Sequence, residues 1–457
     1  MCLSKYTKNS NYLQRTRKFE DNMTVDSIAE IYSKFIECQY QVSTDSRNIL
    51  PNSLFICLKG EKFDGNQFAL EALEKGAKYV VTENQSIVNP NVILVEDSNE
   101  VLPKLAQFHS GKIKTKLVAI GGSNGKTTTK EICQRVLENE FVTKCTQANF
   151  NNHIGVPLTI LSLKPDTDIG IIELGTNHPG EMQFLCNLFE PFAGVITNIG
   201  KEHLEGFGDI EAVAKEESEV YLQLQKSKGL AIVNLDDPWL SNMSNRLTNK
   251  QTYSLTDSTA NLFAEIICEM PHLKFKLFHN QILIGDFEAK IGGKHNLYNL
   301  MVGILLGISN GIDPIQASDS ACEYKPTNNR SEWITFKNHE VLLDAYNANP
   351  SSVEAGLKSF SSLEGQKAVL LGDMLELGSS AHAEHTAIFN LCQELKFDEI
   401  FVCGEHFIEA VGQFPMKFNS ADSLLAWLDT HPIQSKYVYI KGSRGIKMEK
   451  CLEHFKV

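Results

Sequence analysis

The chain has no C-x-x-C pair, no long apolar run and no surplus of basic charge, and each absence removes a class of protein. Its 11 cysteines are scattered and odd in number. That excludes a disulfide framework and a paired-cysteine zinc site, and it fits reduced thiols in a cytoplasmic protein. No stretch approaches the ~20 apolar residues of a membrane span. Lys and Arg number 43 against 56 Asp and Glu, a net charge of -13 that argues against sequence-independent nucleic-acid binding. Residues 1–22 carry Lys5, Lys8, Arg15, Arg17 and Lys18 but no apolar core, so they do not read as a secretory signal. They read as a disordered arm, or as the product of a start codon set too early, with Met23 the true start. There is no internal repeat and no low-complexity tract. What is present is an ordinary globular composition, 42% hydrophobic and 22% charged, in 457 residues. That length suggests about three domains.

The most informative stretch is Ala119-Ile120-Gly121-Gly122-Ser123-Asn124-Gly125-Lys126-Thr127-Thr128-Thr129. Lys116–Ile120 reads as a buried strand before it, and Ile132, Cys133, Val136 and Leu137 recur with helical spacing after it. A glycine-rich turn between strand and helix cradles phosphate, because backbone N–H groups approach the oxygens and the helix N-terminus adds positive dipole. In that role Lys126 reaches the β/γ-phosphates and the Thr127 hydroxyl ligates Mg²⁺. The run is one residue shorter than the usual Walker A spacing.

Other candidates follow along the chain. Thr24–Cys38 has helical periodicity, and Ser53–Leu58 and Tyr79–Val81 read as strands around a helix at Phe68–Gly76. Ser43-Thr44-Asp45-Ser46-Arg47 and Lys59–Gly65 are polar loops beside strands. Glu173 closes the strand Ile169–Ile172, placed either to face the phosphate loop as a Mg²⁺ carboxylate or to lie in solvent. His203 follows the strand Gly194–Ile199, at the carboxyl end where open α/β sheets bind ligands, although a structural histidine is the other reading. Ala212–Leu224 reads as one helix, Leu230–Asn234 as a strand, and residues 260–292 as antiparallel β structure. A helix opens at Gly293–Asn296. In the last third, Val341–Asp344 begins an alternation of strands (368–372, 399–403, 437–440) and helices (381–395, 421–429, 445–455), with a helix capped by Ser351 or Ser352. Such alternation implies a parallel sheet wrapped on both faces.

Gly122-Ser123-Asn124-Gly125-Lys126-Thr127-Thr128 followed by Asn151-Asn152-His153-Ile154-Gly155-Val156-Pro157 resembles the Mur ligases, ATP-dependent amide ligases of peptidoglycan precursor synthesis. The resemblance runs from about Met23 to the C-terminus. Asp344-Ala345-Tyr346-Asn347-Ala348-Asn349-Pro350, Gly372-Asp373-Met374-Leu375-Glu376-Leu377-Gly378 and Lys441-Gly442-Ser443-Arg444 are similar to the branch of the family that adds D-alanyl-D-alanine to UDP-N-acetylmuramoyl-tripeptide. The resemblance implies an α/β protein of three domains. These are a small α/β UDP-sugar-binding domain (23–112), a central P-loop ATPase domain with a mostly parallel sheet (113–325) and a C-terminal Rossmann-like ligase domain (326–457). It implies ATP and Mg²⁺ as cofactors and a cytoplasmic monomer. It places Gly122 to Thr128, Asn296, Asn299, Arg330 and Asp344 at the nucleotide, and Thr127, Glu173, His203 and Glu217 at metal. It places Ser43 to Arg47, Asn151, Asn152, Asn347, Asn349, Ser443 and Arg444 at the other substrates.

Many members carry a carbamylated lysine on the helix after His203. Here Glu217 stands at that position and Lys215 two residues earlier, so either Glu217 replaces the carbamate or the alignment shifts and Lys215 is modified. Two other readings are a relative that adds meso-diaminopimelate or L-lysine, or a folylpolyglutamate synthase, and a P-loop switch without ligase chemistry.

Overall fold

The computed structural model describes residues 25–456. The expected arm at 1–22 and start at Met23 lie outside the described residues. The chain divides into two compact units. One holds the described residues to Gly121, Glu140–Gly194 and Glu219–Leu230, and the other holds Gly122–Asn139, Val195–Ser218 and the chain from Ala231.

In the first unit, Val42–Ser43, Leu54–Ile56, Tyr79–Thr82 and Val92–Leu94 form a four-stranded parallel sheet in that order. Helix Val25–Glu37 contributes Ile28, Ile31 and Phe35 to the interior, the spacing of one helical face. The strand Lys116–Gly121 pairs in parallel with Ile169–Glu173, which pairs on its other side with Thr143–Cys145. Ile169–Glu173 is buried along its whole length, as a parallel strand covered on both faces requires.

In the second unit, Leu230–Asn234, Lys250–Ser254 and Leu262–Cys268 run parallel, and Lys274–His279 and Ile282–Glu288 add an antiparallel extension. Helix Lys294–Ser309 is buried nearly all round. A six-stranded sheet follows in the order Glu332–Thr335, Glu340–Asp344, Tyr437–Lys441, Lys367–Gly372, Glu399–Cys403, Lys417–Phe418. Helices Pro350–Ser361 and Ala381–Glu394 cover one face, with Leu357, Phe360 and Cys392 in its core. Ala421–Leu428 and Met448–Lys456 cover the other, with Leu424, Leu428 and Cys451.

The structure corrects several expectations. Residues 212–224 are not one helix: Ile210–Glu217 ends before Glu219–Ser227 begins. Ser218 sends its hydroxyl to the Lys215 carbonyl at 2.7 Å, a side-chain bond that competes with the helical ladder. The helix after the Asn-Pro turn is capped by Asn349, not Ser351 or Ser352. Pro350 takes the first helical position, where its missing N–H is harmless, and Asn349 and Ser352 form a reciprocal capping box. The last helix is a 3-10 helix at Met448–Lys456 rather than an α-helix over 445–455. The six-stranded sheet is not wholly parallel, because its edge strand Glu332–Thr335 pairs antiparallel with Glu340–Asp344.

Candidate active site

The phosphate loop is shaped by its anchors. Gly122 has φ +111°, and a Cβ there would collide with Thr197 Oγ1 and N, so the loop can turn this tightly only with glycine. Ser123 N–H donates to the Asn198 carbonyl at 2.9 Å, and Asn124 N–H donates to Asn198 Oδ1 at 3.1 Å. Thr197 Oγ1 and Asn198 Nδ2 both donate to the Asn124 carbonyl, at 2.6 and 2.8 Å. Gly125, also left-handed, caps helix Lys126–Leu137 and aims its first turn at the loop. The Lys126 ammonium folds over the loop, donating to the Gly122 carbonyl and, at 3.3 Å, to that of Ser123. Thr127 and Thr128 are buried in the first turn of the helix.

Buried acids surround this lysine. Glu202 Oε2 lies 3.7 Å from Lys126 Nζ. Glu217 is fully buried, and its Oε2 accepts the Gly122 N–H at 2.6 Å. Burial pushes the Glu217 carboxyl up to about 8, against the pull of Lys126. Lys215, on the same helix, is exposed. His203 adopts a left-handed backbone (φ 46°) and pairs through Nδ1 with Glu376 Oε2 at 2.6 Å. Burial opposes its protonation, but the Glu376 hydrogen bond and the Glu202 charge outweigh that and raise its pKa. In the first unit Glu173 is buried and accepts from Asn151 Nδ2 at 3.0 Å, and its strand register sets it opposite Ile120.

The remaining candidates differ in how far their side chains are engaged within the protein. Asn299 Oδ1 accepts from Thr129 Oγ1 at 3.1 Å, its Nδ2 donates to Asn296 Oδ1, and it would lie 2.6 Å from a Cβ on Gly125. Asp344 pairs with Lys441 at 2.5 Å and accepts from Tyr439 OH and Ser331 N–H. Arg330 lies over the Tyr346 ring at 3.7 Å and Arg444 at 5.4 Å. Asn347 is exposed, and its side chain accepts the next amide, from Ala348. Asn349 spends its carbonyl oxygen on the helix cap and its Nδ2 on Asn124 Oδ1 at 2.7 Å. Ser443 is buried, accepting from Leu375 N–H and donating to the Ala348 carbonyl. Asn152 Oδ1 accepts from the Ile154 and Gly155 amides in the turn that enters helix Gly155–Leu161. Asp45 pairs with Arg47 at 2.5 Å, Ser43 accepts from Leu50 N–H, the Ser46 carbonyl accepts from Lys75, and Thr44 is half-buried.

Descriptions of one family match successive stretches of the chain: "Mur ligase family, catalytic domain" over residues 40–116, "Mur ligase middle domain" over 120–307 and "Mur ligase, glutamate ligase domain" over 329–429. A UDP-N-acetylmuramoyl-tripeptide–D-alanyl-D-alanine ligase from Bacillus subtilis is 34% identical over 94% of this chain and 97% of its own. The chain belongs to the Mur ligase family. The Escherichia coli ligase of the same name is 30% identical over 90% of this chain and 92% of its own. A MurF crystal structure from Acinetobacter baumannii matches with a TM-score of 0.81 at 27% identity, covering 91% of this chain and 93% of that one. MurF from Thermotoga maritima in complex with ADP matches with a TM-score of 0.80 at 24% identity, covering 91% and 97%. The three-domain α/β fold with mostly parallel sheets is common to this chain and those structures.

For a Mur ligase the buried acids matter most. Glu202 Oε1 and Glu217 Oε1 are buried and lack a hydrogen-bond partner. Among the described residues, Lys126 is the cation whose charge acts on Glu217. Placing negative charge on both buried acids is costly unless it is paired, and a divalent cation would pair it. Among the described residues no three His, Cys, Asp or Glu side chains converge to hold a metal by themselves. Mg²⁺ is commonly held by one or two carboxylates with the rest of its shell from phosphate and water. Glu202 was not singled out from sequence. Its only signal was adjacency to His203, and a carboxylate in a polar loop looks like any solvated one. No helix among the described residues is long and apolar enough to cross a membrane.

Proposed function

We propose that this chain uses ATP to join D-alanyl-D-alanine to UDP-N-acetylmuramoyl-tripeptide in peptidoglycan precursor synthesis. The relatives that carry this activity in their names match over nine-tenths of the chain, which supports the choice of substrates. The observation that carries the chemistry is the cluster at Lys126, whose ammonium lies 3.7 Å from Glu202 Oε2 and whose charge acts on the buried Glu217.

An amide cannot form directly from a carboxylate, because oxide is not a leaving group near neutral pH. The terminal carboxylate of the tripeptide attacks the γ-phosphorus of ATP. A new P–O bond forms, the bond to the β-phosphate oxygen breaks, and ADP leaves with that electron pair. Lys126 and the amides at the start of helix Lys126–Leu137 neutralise the charge that spreads over the transferring group. When bound, Mg²⁺ would add to that neutralisation, and Thr127, Glu173, His203 and Glu217 are each candidates to contribute a ligand, singly rather than as one converged set among the described residues. The neutral amine of D-alanyl-D-alanine then attacks the acyl carbon and loses a proton, and the C–O bond to phosphate breaks.

Asn296, Asn299, Arg330 and Asp344 serve the nucleotide in this reading, and Arg444 the dipeptide carboxylate. Ser443, Asn349 and Asn152 shape the site through internal hydrogen bonds. Ser43 to Arg47, with Asn151, serve the UDP-sugar side. We read the enzyme as a cytoplasmic monomer, as the resemblance to the family suggests.

Phosphate release measured with UDP-N-acetylmuramoyl-tripeptide, in its meso-diaminopimelate and L-lysine forms, tests the assignment. Release should require both the tripeptide and D-alanyl-D-alanine. Release driven by the UDP-dipeptide and a free amino acid would assign another branch of the family, and release indifferent to every acceptor would favour a nucleotide switch.

A further inference from the structure

His203 is held in a conformation that its own chemistry does not favour. Its backbone is left-handed at φ 46°, ψ 36°, a region that non-glycine residues occupy only where their surroundings enforce it. The enforcing element is the segment Asp373–Gly378. Glu376 touches the histidine turn twice: its carbonyl accepts from Glu205 N–H at 3.1 Å, and its carboxylate meets His203 Nδ1 at 2.6 Å. The other imidazole nitrogen, Nε2, faces Glu202 Oε2 at 3.8 Å, on the side where that carboxylate meets Lys126.

We propose that Glu376 is a positioning residue for His203: its carboxylate accepts the Nδ1–H hydrogen bond and turns Nε2 toward Glu202 and the phosphate loop. A histidine that serves a metal through one nitrogen commonly donates the other N–H to a carboxylate, which fixes both ring orientation and tautomer. The inference rests on the reading of His203 as part of the metal–phosphate site.

The segment that carries Glu376 is anchored independently of it. Asp373 accepts from the His406 and Phe407 amides at 3.0 and 2.9 Å. Met374 N–H donates to His385 Nε2, and Leu375 N–H donates to Ser443 Oγ. Leu204, next to the histidine, is buried in the same apolar cluster as Met374 and Leu377. A Cβ on Gly378 would lie 3.3 Å from Glu205 Cα. These contacts hold the segment against the His203 turn without the Glu376 carboxylate, whose side chain is 61% exposed. An exposed ion pair adds little to stability, so its effect falls on the orientation of the ring. Glu376 comes from the six-stranded-sheet region, so the histidine is oriented only where that region is docked on its turn.

The test uses Mn²⁺ as an EPR-visible probe, titrated into the full chain with ADP, in the wild type and in Glu376→Ala, Glu376→Gln and His203→Ala. Glu376→Ala should weaken nucleotide-dependent Mn²⁺ binding about 10- to 100-fold, the usual effect of removing such an outer partner, while its thermal melt stays with the wild type. Glu376→Gln, whose amide oxygen still accepts from Nδ1–H, should bind within about 3-fold of wild type, since the acceptor is kept. Adding Glu376→Ala to His203→Ala should change nothing further. Mn²⁺ binding that falls in His203→Ala but not in Glu376→Ala overturns the positioning role, as does a Gln variant as weak as Ala. Normal binding in His203→Ala would instead remove the metal role of His203, and the proposal with it.

Discussion

The Gly122 amide donates to Glu217 Oε2 at 2.6 Å, which ties a fully buried carboxylate to the residue where the phosphate loop leaves its strand. Two residues along an α-helix rotate direction by about 200°, so Lys215 turns to solvent when Glu217 turns in. We propose that Glu217 takes the place of the family's carbamylated lysine and supplies its negative charge without carbon dioxide. Glu217→Gln should therefore lower kcat by about 10- to 100-fold, as loss of a group that supports a metal site does. Lys215→Ala should be nearly normal, and stripping bicarbonate should leave the wild type unchanged. A dead Lys215→Ala, or activity that depends on added bicarbonate, would return the role to the lysine.

Lys126→Ala should abolish ligation yet leave the affinity for the UDP-linked tripeptide within about 3-fold, since the lysine serves phosphoryl charge and not sugar recognition. Its ammonium is held by the Gly122 and Ser123 carbonyls at the head of the helix. Calorimetry with the sugar nucleotide alone decides this, and loss of that binding would refute the division of labour.

Arg330 and Arg444 both lie over the Tyr346 ring, at 3.7 and 5.4 Å from its centroid. The exposed Arg444 offers a planar fork suited to a carboxylate. Arg444→Ala should raise KM for D-alanyl-D-alanine at least about 10-fold, the value of one charge-assisted pair, with KM for ATP little changed. Equal increases for both substrates would show that Arg444 does not discriminate between them.

The Asp344–Lys441 pair should make stability depend on pH. Burial alone would raise the Asp344 carboxyl, but Lys441 at 2.5 Å outweighs it and holds the folded-state value below the usual one. A carboxyl depressed in the folded state stabilises above its unfolded value, near 3.9. That contribution is lost as pH falls through the lower folded value. Melting temperature should therefore drop less between pH 6 and pH 3 in Asp344→Asn than in the wild type. Lys441→Met, which strands the carboxylate, should cost about 3 kcal/mol at neutral pH by chemical denaturation.

The local patterns of this chain were enough for much of its reading. Strand Ile169–Glu173 carries Ile169, Ile171 and Ile172 and is buried along its length, and the phosphate loop declares itself by glycine spacing between a strand and a helix. The Tyr346–Pro350 and Gly372–Gly378 runs, with the phosphate loop, carried the resemblance to the family. What sequence could not show was which acids are buried together. Glu202 sits in a loop as polar as any surface turn, and it matters because the fold sets it 3.7 Å from Lys126. The helix break at Ser218 depends on one hydroxyl competing for a carbonyl, which periodicity does not register. The resemblance put Asn349 and Ser443 at the substrates, and the structure adds the internal hydrogen bonds that their side chains make. The Glu376 carboxylate meets His203 only because Leu204, Met374 and Leu377 bury one another from distant parts of the chain. Periodicity and motif spacing are local and survive in one dimension. Charge burial and hydrogen-bond partnership are properties of neighbours in space, and the tertiary structure alone chooses those neighbours.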